Sequence, residues 1–106
     1  DCEKIISPIK GADFAITVAG DSMTPEYPNG SILLIKKIDE KAFIEWGKVY
    51  VLDTCNGTVV KQIEPGDYDG ELTCVSLNPS YKPFKVPMTE EVLYGMYKVL
   101  MCMSLK

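Results

Sequence analysis

The chain is 106 residues long, 46% apolar and 25% charged, a balance that suits one globular domain and argues against a disordered or membrane-spanning chain. With 11 basic against 15 acidic side chains, and Lys36–Lys37 the only adjacent basic pair, it lacks the clustered basic surface that phosphate contacts demand. Its apolar run from Val99 to Met103 is far below the roughly 20 residues of a bilayer-crossing helix, and Ser7–Pro8 directly after Ile5–Ile6 rules against a secretory leader.

The first residue is Asp1 rather than Met, so residues 1–11 read as the remnant of a linker and 12–106 as the domain, with any DNA-binding part expected outside this sequence. From Phe14 onward, period-2 alternation and turn signals dominate. Phe14, Ile16 and Val18 alternate with Ala15, Thr17 and Ala19, which predicts a half-buried strand ending at Gly20. Pro25, Pro28 and Asn29–Gly30 make the next stretch irregular, and Ser31 to Ile38 reads as a strongly apolar strand. Asp39 to Trp46 is a polar connection with room for one helical turn; Trp46 reads as a packing residue.

Lys48 to Thr54 and Thr58 to Glu64 flank Asn56–Gly57, the strongest short-range hairpin signal. A two-residue loop there would pair Cys55 with Thr58, Leu52 with Lys61 and Tyr50 with Ile63. Further strands are expected at Glu71–Leu77, Phe84–Val86 and Leu93–Leu105. The tyrosines and methionines of the last one (Tyr94, Met96, Tyr97, Met101, Met103) suit either core or a self-complementary edge strand. The fold class is mostly β, a folded-over barrel or ribbon with short helical turns.

Two compositional facts restrict the chemistry. The four cysteines, Cys2, Cys55, Cys74 and Cys102, have no C-x-x-C spacing and there is no histidine, so no metal site and no cofactor is expected. The thiols read as free, in a cytoplasmic protein. Without histidine, Ser-His-Asp and Cys-His catalysis cannot be built from this chain.

Lysine is the base that remains. On the expected hairpin Lys61 shares a face with Val59 and Ile63 and stands opposite Leu52. Burial there would favour the neutral amine, which can act as a general base near neutral pH. The commoner outcome for such a lysine is to lift its amine into water. Ser22 sits in A-G-D-S-M-T-P, where Gly20 permits a sharp turn that presents the hydroxyl and its neighbouring N–H groups. Taken alone, the commoner reading is that Ser22 or Asp21 caps a turn or short helix beginning at Met23.

Order and spacing add to this. The string VAGDSMTPEYPNGSILLIKK resembles the nucleophile segment of the LexA, UmuD and lambda-type repressor peptidases. GKVYVLDTCNGTVVKQIEP resembles their lysine-bearing hairpin, and VSLNPSYKPFKV and VLYGMYKVLMCM their last segments. The resemblance implies a signal-peptidase-like fold and a Ser22–Lys61 dyad. It also implies an oxyanion site from the backbone N–H groups of Asp21 and Ser22, with Gly20, Met23, Leu52 and Val59 in support. The implied function is a self-cleaving, dimerising C-terminal domain of a repressor, answering to a RecA-like activator or an antirepressor. The alternative is a dimerisation and effector-sensing module whose dyad is little used. The family cuts its own chain at a small pair, often Ala-Gly, upstream of the serine. Ala19–Gly20 is too close to Ser22 to enter its own site.

Overall fold

A computed structural model describes residues 2–4, 12–38 and 43–104 of the chain. Eight strands form one antiparallel sheet: β1 Cys2–Lys4, β2 Phe14–Thr17, β3 Ile32–Ile38, β4 Val49–Thr54, β5 Gly57–Pro65, β6 Glu71–Val75, β7 Phe84–Pro87 and β8 Leu93–Met103. Their spatial order is β1-β2-β3-β8-β4-β5-β6-β7. No α-helix occurs among the described residues. Half of the expected connection from Asp39 to Trp46, residues 39–42, lies outside them.

Both faces of the central strands are buried, which explains why β4 reads VYVL rather than as a clean apolar–polar alternation. Tyr50 and Leu52 point into one cluster with Ile63, Leu72, Cys74 and Met96. Val51 points into the other, with Ile16, Val18, Leu33 and Ile35. Val60 of β5 and Val99 of β8 also pack on that second cluster, so strands β2, β3, β8, β4 and β5 curl around it. The curl stops short of a barrel, because β2 and β5 are not paired.

Three expectations are corrected or narrowed. First, the hairpin register is shifted: Tyr50 pairs with Lys61, Leu52 with Val59 and Thr54 with Gly57. The expected turn needs positive φ at both loop residues, but Asn56 is not left-handed and only Gly57 is, at φ 107°. The chain instead turns through Cys55 and Asn56, held by the Asn56 N–H donating to Thr54 Oγ1 (3.1 Å) and that hydroxyl donating to Gly57 O (2.7 Å). Each β5 residue thereby moves two places along β4. An even shift leaves every side chain on its expected face.

Second, of the two readings left open for the last strand, core or edge, the edge is ruled out. β8 lies between β3 and β4, because the apolar ILLI of β3 and VYVL of β4 both need a partner along their length. Third, Cys2–Lys4 is a strand paired with β2 rather than part of a loose linker; the rest of 1–11 lies outside the described residues. Trp46 also departs from a packing role, being half exposed. Cys55, Cys74 and Cys102 are free thiols, as expected.

Candidate active site

The site is made by two segments that the curl of the sheet brings together. The first is the turn between β2 and β3. Gly20 ends the extended chain at φ 86°; the space around it is open, so backbone conformation rather than crowding calls for glycine there. Its N–H donates to Asn29 Oδ1 (2.8 Å). The Thr24 hydroxyl donates to Asp21 O (2.9 Å) and the Tyr27 N–H to Met23 O (2.9 Å), closing about one helical turn. Met23 is the anchor: its side chain is 1% exposed, and its sulfur accepts the Leu77 N–H at 3.5 Å. Ser22 is thereby fixed between a left-handed glycine and a buried methionine.

The second segment is β5. Pairing with β6 begins only at Gln62↔Val75, so among the described residues no strand pairs with this edge of β5 over residues 57–61. Lys61 lies on the face of Ile63, with Tyr50 opposite it on β4, and is 8% exposed. Its Nζ donates to Ser22 Oγ at 2.8 Å. Burial pulls the Lys61 amine below the usual lysine range. The neighbouring Cys74 would oppose that only as a thiolate. Burial pushes the Cys74 thiol up to about 11, so it is neutral at physiological pH and burial decides.

A cleft of about 250 Å³ is lined by Thr17–Ala19 on one side and Thr58–Lys61 on the other, together with Ser22 and Met23. It is smaller than a typical drug-sized pocket but can take small side chains of an extended peptide. The larger concavity, about 640 Å³ beside Trp46, Tyr68 and Met88, contains neither Ser22 nor Lys61. Among the described residues, the N–H groups of Asp21 and Ser22 have no hydrogen-bond acceptor. They are donors left open beside the serine.

Of the residues singled out from the sequence, Gly20, Asp21, Ser22, Met23, Val59 and Lys61 come together. Leu52 does not: it is fully buried opposite Val59, and it reaches the cleft only through that neighbour.

Sequence reasoning passed over the loop after β6. The Asn78 N–H donates to Ser22 O (2.9 Å), Asn78 Nδ2 donates to Asp21 O (3.0 Å), and the Tyr81 hydroxyl donates to the Asp21 carboxylate. Its signal was the string VSLNPSYKPFKV, which resembles a family segment as a whole and singles out neither Asn78 nor Tyr81.

The family model described as Peptidase S24-like matches residues 2–94, a span that contains both Ser22 and Lys61. No curated protein matches the chain.

Proposed function

The chain belongs to the peptidase S24-like family, and from that premise we propose that it is a serine–lysine peptidase domain that cuts its own polypeptide. The observation that carries the reading is the 2.8 Å contact between Lys61 Nζ and Ser22 Oγ in a chain without histidine. Neutral Lys61 takes the Ser22 proton as Oγ attacks a peptide carbonyl. The oxyanion is received by the N–H groups of Asp21 and Ser22. Collapse of the tetrahedral intermediate releases the amine, protonated by Lys61, and leaves an acyl group on Ser22 that water then removes. The substrate strand pairs with the edge of β5 that β6 leaves unpaired, residues 57–61, an addition that supplies main-chain hydrogen bonds and leaves small side chains for the narrow cleft.

In this reading the domain is the C-terminal half of a cytoplasmic repressor-type regulator. A segment outside this sequence binds DNA and carries the scissile bond, and a RecA-like activator or an antirepressor triggers the cut. Full-length protein incubated at alkaline pH tests it, because alkali deprotonates Lys61 without an activator. Two fragments should accumulate, and none with Ser22→Ala. A chain that stays intact at pH 10 would rule out self-cleavage.

A dimerisation module is the second reading, favoured by the exposed Tyr94, Met101 and Met103 of β8. Met101 and Met103 stand at alternate positions of one strand, so they share a face, and a copy of the same chain is the partner this reading assigns.

A further inference from the structure

Ser22 and Lys61 stand 39 residues apart on elements that do not pair with each other. Something must hold them at hydrogen-bond distance before substrate arrives, since a general base works only from within reach of its proton. One stretch of chain runs from the lysine's strand pairing to the serine's turn. The β5–β6 ladder ends at Gln62↔Val75, so Ser76 follows directly on the partner of the residue after Lys61. Ser76, just past the end of β6, is 7% exposed and continues the alternation of buried Leu72 and Cys74. Two residues later the same stretch reaches the serine's turn. There Asn78 bonds the carbonyls of Ser22 and Asp21, and Tyr81 bonds the Asp21 carboxylate.

The direction of these bonds matters. In a trans peptide the C=O and the following N–H point opposite ways. Tying Asp21 O to Asn78 Nδ2 (3.0 Å) therefore turns the Ser22 N–H away from Asn78. Asn78 does not border the cleft, whereas Ser22 does. Together with the bonds that the Thr24 hydroxyl and N–H make to the same carbonyl, it orients the donor that would meet an oxyanion.

We propose that the Ser76–Tyr81 segment is the alignment element of the dyad. In it Asn78 and Tyr81 act as positioning residues that hold the Ser22 turn level with Lys61 and turn the Ser22 N–H toward the cleft. This rests on the dyad proposed above. Neither residue touches substrate. Their contribution is to geometry, for which a misplacement of about 1 Å costs on the order of 100-fold in rate.

Asn78→Ala removes the side-chain bond to Asp21 O and keeps the backbone N–H that holds Ser22 O; Tyr81→Phe removes only the bond to the Asp21 carboxylate. The probe is a fluorophosphonate added to the full chain: Ser22 Oγ bonds to phosphorus, fluoride leaves, and the Ser22 proton passes to Lys61. Labelling of the wild type but not of Ser22→Ala defines the reaction. Asn78→Ala should then label about 10- to 100-fold more slowly, with an unchanged pH midpoint because Lys61 keeps its surroundings. Tyr81→Phe should slow it less, in the same direction. Labelling of both variants at the wild-type rate overturns the alignment role while leaving the dyad standing. So does a shifted midpoint with an unchanged plateau.

If the wild type itself fails to label, the dyad falls, and amide exchange decides the alignment role separately. Exchange at Thr24 and at residue 78 should quicken at least tenfold in both variants; unchanged exchange at both amides overturns it.

Discussion

Replacing Lys61 with methionine should weaken the chemistry and strengthen the fold. The side chain is 8% exposed and lies among apolar neighbours with Tyr50 opposite, and methionine fills similar volume without a charge. On the activity side, loss of a positioned general base costs about 10²–10⁴-fold, or about 3–5 kcal/mol of barrier at 1.36 kcal/mol per decade. On the stability side, burial lowers the amine's pKa in the fold, so the unfolded chain binds more protons between that value and the ordinary lysine pKa. Wild-type stability must therefore rise with pH across that window and is lowest, relative to the variant, below it. Each unit of lowering is worth about 1.4 kcal/mol.

The test is urea unfolding of wild type and Lys61→Met at several pH values from 6 to 11, with labelling or self-cleavage rates alongside. Cys74 titrates in the same alkaline range, and its raised pKa removes stability as pH climbs toward about 11. Charged Lys61 lowers that thiol, so the variant alters it too, and the difference between the two proteins is read below about pH 9, where the folded thiol is neutral in both. The methionine variant should be the more stable at pH 7, with a gap that shrinks as pH rises. A variant less stable by a constant amount at every pH would refute the claim that burial, rather than packing, governs this amine.

Thiol reagents should separate the cysteines: exposed Cys55 reacts at once, whereas Cys74, fully buried and shifted to about 11, reacts only on unfolding; fast modification of Cys74 at pH 8 would contradict its burial. Gly57→Val places a β-branched side chain at φ 107°, which should cost about 1–3 kcal/mol and lower the melting temperature. No change in that temperature would mean that the turn has relaxed. For the dimer reading, sedimentation across a concentration series should show association that Met101→Lys with Met103→Lys abolishes. A wild type that stays monomeric at high concentration would sink it.

The parts of this molecule legible in its sequence are those written in local pattern. Alternation gave the strand in Phe14–Val18 and the apolar run gave β3. Gly20 before Ser22 showed a turn, and the missing histidine left lysine as the base. Lys61 landed on the right face although its partner was misassigned, because a two-residue slip preserves facing. What stayed hidden depends on distant partners. Nothing local in LYGMYKVLMCM says that two strands will flank it, and nothing in LNPSY says that Asn78 and Tyr81 will bond a turn more than fifty residues earlier. Trp46 misled because aromatic bulk indicates burial on average, whereas here the ring borders an open concavity.

The place of β8 in the sheet has a consequence for biosynthesis. The serine belongs to the β2–β3 ribbon and the lysine to the β4–β5 ribbon, and in the sheet these ribbons are joined through β8 alone. As the chain leaves the ribosome, both halves of the reactive pair emerge long before the strand that brings them into register. Two ribbons made early wait on the last one. Until residues 93–103 are out, the nascent polypeptide holds a serine and a lysine with no sheet between them, and any segment they would cut has that interval in which to fold or find its partners.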